Sequence, residues 1–287
     1  MHPFQYVAAE SLDEALRILA EHRDDAKVLA GGQSLVPLLN YRLARPKVVV
    51  EITGLPLAGT SVEDRRLRLG ALLRHHQLEE SDTVARHAPV LREAARWIGN
   101  VRVRALGTVG GSMAHADPAA ELPAALTALE ARLTVASAVG GRTVPVDDFF
   151  TGPLTTALAP GEIVTGIDVP IWPEHGWAVE EHARRAGDFA VVMAVALVRV
   201  DRRGRVDDVR LTYGGVADRP ARARAAEDAL RGQEPTTERI ALTAQVARDA
   251  LRPPSDAFVS GAYRRLLAGV LGRRALTRAV TRALGGS

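Results

Sequence analysis

Cysteine is absent from the 287 residues. Without thiolates the chain holds no iron–sulfur cluster, thiol nucleophile, disulfide or cysteine-ligated zinc. Lysine is nearly absent: Lys27 and Lys47 stand against 35 arginines. The net charge is only +3 and acids are interspersed throughout, so there is no large basic field of the kind nucleic-acid binding needs. No stretch approaches the roughly 18 to 20 apolar residues of a membrane span. The start, Met1-His2-Pro3-Phe4-Gln5-Tyr6, lacks the basic and apolar regions of a signal peptide, which predicts a cytoplasmic chain. What is present is an ordinary soluble balance, 47% hydrophobic and 25% charged, in a length that suggests about two domains.

Ser11-Leu12-Asp13-Glu14 is a capping-box pattern, followed by Leu12, Ala15, Leu16 and Leu19 at helical spacing. Lys27–Ala30 is a short strand ending at Gly31-Gly32; residues 35–43 read as a helix and Val48–Ile52 as a β-branched strand. The opening 55 residues are thus a small unit with a parallel pair. Next come a hairpin over residues 61–69, a helix over 90–97 and a second glycine loop, Thr108–Ser112. A helix over 121–130, a hairpin turning at Gly140-Gly141 and a strand over 163–169 follow. Pro and Gly punctuation at Ile171–Gly176 marks a domain boundary. Beyond it lie a hairpin of 191–200 with 206–213, then helices from about Ala221.

Two glycine pairs stand between apolar segments, Ala30-Gly31-Gly32-Gln33-Ser34 and Thr108-Val109-Gly110-Gly111-Ser112. Glycine permits positive φ and close approach, and consecutive exposed N–H groups at a helix start form an anion-binding nest. Two such loops suit the two phosphates of a pyrophosphate; one such pair alone is more often a tight turn. Other phosphate and catalytic motifs fail. No G-x-G-x-x-G follows a strand, and no G-x-x-x-x-G-K-[ST] occurs. Gly110-Gly111-Ser112-Met113-Ala114 lacks the last glycine of a nucleophile elbow. His115 with Asp117 is too few ligands for a metal, and His75-His76 reads as an exposed pair on a polar helix or loop.

Taken in order, the segments resemble a known family. Ala30–Leu39 (Ala-Gly-Gly-Gln-Ser-Leu-Val-Pro-Leu-Leu) with Arg42-Leu43-Ala44-Arg45-Pro46 is similar to a first flavin-binding stretch. Residues 104–112 (Arg-Ala-Leu-Gly-Thr-Val-Gly-Gly-Ser) with Ala114–Glu121 are similar to a second. Residues 184–190 (Arg-Arg-Ala-Gly-Asp-Phe-Ala) match a third motif and 263–271 (Tyr-Arg-Arg-Leu-Leu-Ala-Gly-Val-Leu) a fourth. The chain resembles the FAD-binding medium subunit of molybdenum hydroxylases, the group of carbon monoxide and xanthine dehydrogenases, over nearly its whole length.

That resemblance implies an α+β fold. A vanillyl-alcohol-oxidase-type (PCMH) FAD domain would span residues 1–174, with subdomains of about 1–56 and 57–174. A smaller α+β domain would span 175–287. It implies that Leu29, Ala30, Gly31, Gly32, Gln33, Ser34 and Leu35, together with Thr108, Val109, Gly110, Gly111 and Ser112, wrap the FAD pyrophosphate. Ile98 and Leu106 would lie along the cofactor, Glu121 near the nucleotide and Val164 near the flavin. Phe189 stands where some relatives place a tyrosine against the ring, and Arg184, Arg185 and Asp188 are expected to form an ion-pair cluster.

Departures from the family pattern carry further expectations. Gln33 stands where many relatives have His, so covalent flavin attachment is excluded there and FAD should be non-covalent. Ser112 replaces a frequent Asn and keeps a hydrogen-bonding side chain. Glu180 and Glu181 lie where many relatives have a lysine near the flavin, and a carboxylate there would disfavour the anionic reduced flavin. Phe189 has no phenol to offer.

By resemblance the function is an electron relay. A large subunit would carry the molybdenum cofactor and a small one the [2Fe-2S] clusters, in a dimer of heterotrimers without nucleic acid or membrane span. Electrons would pass through FAD here to NAD, quinone, cytochrome or oxygen. The missing cysteines agree with that division, and no side chain here need be a general acid or base. A self-contained FAD oxidoreductase of the same superfamily and an FAD-free scaffold remain as alternatives.

Overall fold

A computed structural model describes residues 1–285. The chain opens with β1 (Gln5–Ala8), α1 (Leu12–His22), β2 (Ala26–Leu29), α2 (Leu35–Asn40) and β3 (Val48–Glu51). The three strands are parallel, in the order β1-β3-β2. Ser11 Oγ caps α1 by accepting from the Glu14 amide at 3.1 Å, and the Glu14 carboxylate accepts from the Glu10 amide at 2.8 Å. The apolar stripe of α1, Ala15, Leu16, Ile18 and Leu19, then buries itself against Val48 and Val50. The helix expected over 35–43 stops at Asn40. Arg42 turns to a φ of 60°, and the amides of Leu43 and Ala44 fold back onto the Leu38 carbonyl, which closes the helix end.

The middle of the chain contains β4 (Thr60–Glu63), β5 (Arg66–Gly70) and six helices. These are α3 (His75–Glu80), α4 (Asp82–His87), α5 (Pro89–Trp97), α6 (Val101–Leu106), α7 (Val109–His115) and α8 (Glu121–Ala128). There follow β6 (Arg132–Ser137), β7 (Gly140–Pro145), α9 (Val146–Phe149), a small hairpin β8 (Phe150–Gly152) and β9 (Thr155–Thr156), and β10 (Ile163–Pro170). The second sheet is antiparallel with order β4-β5-β10-β6-β7. Every expected hairpin of this region is present, but the second turns at Ala138-Val139 and not at Gly140-Gly141, which already pair with Ser137 and Ala136 as the start of β7. The second glycine motif differs: Thr108 is the N-cap of α7, so Val109–Ser112 is the first turn of a helix and not a loop. Strand β10 ties the first two sheets together, because Ile163 enters the core of the first and Val164 that of the second.

Residues 171–175 separate β10 from the third sheet and are firmly anchored. Trp172 is buried, with the Arg210 and Arg199 guanidinium groups 4.4 and 5.3 Å from its ring centre. The third sheet runs β11 (Gly176–Ala183), β12 (Ala190–Val200), β13 (Val206–Gly214) and β14 (Ala221–Arg222), all antiparallel. Helices α10 (Arg224–Leu230), α11 (Thr237–Ala250) and α12 (Gly261–Ala283) complete the chain. Strand β12 is buried on both faces. Met193, Val195 and Leu197 join the core built by α5 and α8, while Ala194, Ala196 and Val198 join Leu271, Ala275 and Leu276 of α12. Glu93 of α5 reaches around this sandwich and accepts from Arg278 at 2.8 Å and Arg282 at 2.7 Å, both on α12.

Candidate functional site

The two glycine motifs, about 75 residues apart in sequence, meet in space. A Cβ on Gly31 would fall on the carbonyl oxygen of Leu106 and 2.8 Å from Gly107 Cα. A Cβ on Gly107 would stand 2.6 Å from the ring of His75, and one on Gly110 2.6 Å from Ala71 Cβ. Glycine is required at these places because backbone approaches backbone or a buried side chain directly. Hydrogen bonds sew the second motif to the β5–α3 segment. The Val109 amide donates to the Leu73 carbonyl at 2.9 Å, the Gly110 amide to Ala71 at 2.8 Å and the His75 amide to Gly107 at 3.0 Å.

This stitching corrects the expectation of two equivalent donor loops. The amide of Gly111 donates to Thr108 Oγ1 at 3.1 Å and that of Ser112 to the Thr108 carbonyl at 3.0 Å. With Val109 and Gly110 already bonded, the second motif has no free backbone donor in its first turn. The first motif is the opposite. Among the described residues, the amides of Gly31, Gly32, Gln33, Ser34 and Leu35 have no hydrogen-bond partner. Gly32, within this row of donors, takes a φ of 71°, the left-handed backbone that glycine adopts without strain. Gln33 Nε2 donates to the Gly31 carbonyl at 2.9 Å and closes the loop on itself, while the Ser34 hydroxyl makes no cap bond and stays available. No acid lies between Lys27 and Arg45. Free donors in a segment that carries no acid of its own fit the two phosphates of FAD, and the second motif packs tightly beside them.

Around this junction the remaining residues are distributed unevenly. Leu29 and Ala30 are half-buried at the end of β2, and Leu106 is exposed where Gly31 meets it. Ile98 is buried at the end of α5, and the turn after it is held by Arg104. That guanidinium donates to the carbonyls of Ile98 at 3.1 Å and Gly99 at 3.4 Å and pairs with Glu79 at 3.1 Å. The β11–β12 loop reaches the same turn, since a Cβ on Gly187 would stand 3.0 Å from the Gly99 carbonyl oxygen. Phe189 follows in that loop with 65% of its surface exposed, a large apolar face turned to solvent. Val164 is buried in the core; its neighbour Thr165 accepts from the Ala71 amide at 3.2 Å, directly behind Gly110.

The expected cluster of Arg184, Arg185 and Asp188 does not form. Among the described residues none of the three makes an ion pair; Arg184 lies 4.7 Å over the ring of Phe258, and the Asp188 amide donates to the Arg185 carbonyl. Alternating strand geometry explains why Glu180 and Glu181 differ. Glu180 faces α12 and pairs with Arg278 at 2.6 Å, whereas Glu181 faces the opposite side, with Val179 and Met193 of the core built by α5 and α8. Glu121 is buried in the first turn of α8, and burial pushes its carboxyl up to about 7, with a smaller push from Asp117.

His75 is also a correction. It is buried, not exposed, and burial, then the charges of Arg104 and His76, lower its imidazole to about 4, so it is neutral at pH 7. The burial of His75, the role of Arg104 and the burial of the Glu121 carboxyl carried no motif of their own, although Arg104 opens the second stretch of the resemblance.

Comparison with known proteins settles the family. The model for the FAD-binding domain in molybdopterin dehydrogenase matches residues 2–172, and that for the CO dehydrogenase flavoprotein C-terminal domain matches residues 177–279. This chain belongs to the FAD-binding medium subunits of the molybdenum hydroxylases. It is 40% identical to the 6-hydroxypseudooxynicotine dehydrogenase complex subunit alpha of Paenarthrobacter nicotinovorans, over 98% of this chain and 95% of that one. It is 39% identical to the glyceraldehyde dehydrogenase medium chain of Sulfolobus acidocaldarius, over 96% and 98%. Among solved structures, quinoline 2-oxidoreductase from Pseudomonas putida 86 superposes with a TM-score of 0.94 at 36% identity, covering 99% of each chain. The chain is therefore the flavoprotein component of an oxidoreductase, and no helix among the described residues is long and apolar enough to cross a membrane.

Proposed function

We propose that this medium subunit is the electron relay of a three-subunit molybdenum hydroxylase, assembled as a dimer of heterotrimers. It would take electrons from iron–sulfur clusters on a small partner, fed by a molybdenum cofactor on a large one, and pass them to an external acceptor. FAD, when bound, supplies the one- and two-electron chemistry that no side chain here offers. The domain division at residue 174 and the cytoplasmic setting belong to the same reading.

The observation that carries it is the row of five unpaired amides from Gly31 to Leu35, set against Leu106 and Gly107. In this reading those amides and the Ser34 hydroxyl hold the pyrophosphate, and Thr108–Ser112 back them as a rigid wall with the Ser112 side chain as a further donor. Ile98 and Leu106 flank the cofactor, Glu121 lies near the nucleotide end, and Phe189 covers the ring as an apolar lid that excludes water. Val164 acts from behind the wall, through the packing of Ala71. Gln33 leaves FAD non-covalent, because an amide forms no bond to the flavin methyl group.

The test is a visible spectrum of the purified chain before and after adding FAD, then after heat denaturation. A flavin spectrum whose chromophore passes a filter after denaturation is the expected result. Absence of FAD binding at large excess, by the chain alone and by the chain with its partners, rejects the reading.

A further inference from the structure

The turn at the end of α5 is held by a side chain from another helix. Among the described residues no backbone amide donates to the carbonyl of Ile98 or of Gly99. One group meets both: Arg104 Nη1 donates to Ile98 at 3.1 Å and to Gly99 at 3.4 Å. Its Nε stands 3.1 Å from Glu79 Oε2 on α3, and both side chains are largely withdrawn from solvent. The start of α3 grips the same segment, since Arg74 Nη1 donates to the Ala105 carbonyl at 2.9 Å. The guanidinium therefore joins a fixed helix to two carbonyls that have no other donor. A lysine keeps the charge but lacks the planar fork that spans a carboxylate and two carbonyls at once.

The loop between β11 and β12 rests on this turn. Gly187, with a φ of 82°, approaches so closely that a Cβ would stand 3.0 Å from the Gly99 carbonyl oxygen and 3.7 Å from the Asn100 nitrogen. The loop has little else to fix it. The Arg184 guanidinium lies 4.7 Å over the ring of Phe258, and the Asp188 amide donates within the loop, to the Arg185 carbonyl. Phe189 is two residues beyond Gly187, a reach of at most about 7 Å. The place of Gly99 thus governs where the exposed ring of Phe189 stands.

We propose that Arg104, braced by Glu79, is the positioning residue for Phe189. It fixes the Ile98–Gly99 turn, the turn seats the β11–β12 loop, and the seated loop keeps the apolar ring where it shields the flavin from water. The proposal rests on the FAD reading above. Without the guanidinium the turn relaxes, Gly187 loses its support and the shield opens.

Two readouts test this on the full-length chain, with its partner subunits where FAD binding requires them. Chymotrypsin cleavage after Phe189, identified by fragment mass, reads the loop and needs no cofactor. Iodide quenching of the fluorescence of bound FAD reads the shielding. Arg104→Lys should be cut after Phe189 several-fold faster than wild type and quenched several-fold more strongly. Glu79→Gln should move both readouts the same way, and guards against a lysine variant that does not fold. Arg96→Gln removes a cation that approaches Glu79 only to 3.7 Å, and should change neither. Phe189→Ala should raise the quenching as far as Arg104→Lys does, and the double variant should rise no further, because the arginine acts through that ring. A merely structural arginine lowers the urea midpoint and leaves cleavage and quenching at wild-type values. Wild-type cleavage and quenching in both Arg104→Lys and Glu79→Gln overturn the proposal, as does quenching in the double variant that equals the sum of the single effects. If Arg104→Lys speeds cleavage but no form binds FAD under any condition, the seat of the loop stands while the FAD reading and the shielding role fall.

Discussion

Gly31 lies against the carbonyl of Leu106 with no room for a methyl group between them. The contact joins the first sheet to the α6–α7 segment and sets the row of free amides beside the second motif. Gly31→Ala forces these backbones apart, and overpacking of this kind costs about 1–3 kcal/mol. The expected outcome is a lower urea midpoint together with a loss of FAD affinity. Gly54→Ala, at a glycine with open space around it, serves as the control and should change neither.

Neutral His75 makes a prediction for acid. Its folded-state pKa, about 4, lies below the ordinary value of 6.5, so the unfolded chain binds the proton more readily. The stability this contributes is complete above pH 6.5 and is lost as pH falls through 6.5 toward 4, a total of about 3 kcal/mol. Thermal melts in steps from pH 7.5 to 4.5 should show that slope, and His75→Gln should flatten it. A slope that survives the substitution would assign the acid sensitivity to other groups.

Tyr213 points the other way. Its hydroxyl is fully buried against Gly272 of α12 and has no hydrogen-bond partner among the described residues, and burial raises its pKa. An unsatisfied buried hydroxyl costs about 1–3 kcal/mol. Tyr213→Phe removes the hydroxyl and keeps the ring in the core, so the melting temperature should rise. A clear fall would show that the oxygen has a stabilising partner after all.

Much of the fold was legible in the sequence because its elements are locally determined. The Ser11 cap, the Val48–Val50 run and the hairpin of residues 132–145 each announce themselves within a few residues, although that hairpin turns at Ala138-Val139, two residues before its glycines. The glycine motifs were legible as motifs, but the difference between them was not. Whether an amide at residue 110 is free depends on a carbonyl at residue 71, and no local pattern reports that distance. His75 looked polar because its neighbours are, yet the approach of Gly107 buries it. Glu180 and Glu181 are adjacent in sequence and opposite in space, so strand register alone decides which one meets Arg278 and which turns with Val179 and Met193 toward the core of α5 and α8. The absent ion pairs of Arg184, Arg185 and Asp188 have a similar origin: the ring of Phe258, from a distant loop, takes the guanidinium of Arg184.

Because β12 lends one face to each of two cores, the polypeptide is a single object to a protease or a cloning scheme even though two family signatures divide it. Cutting the chain near Trp172 would strip α5 and α8 of Met193, Val195 and Leu197, and leave those side chains bare on the other piece. Each fragment would carry an oily wound matching the other's, so the halves would be recovered as soluble material only when made together.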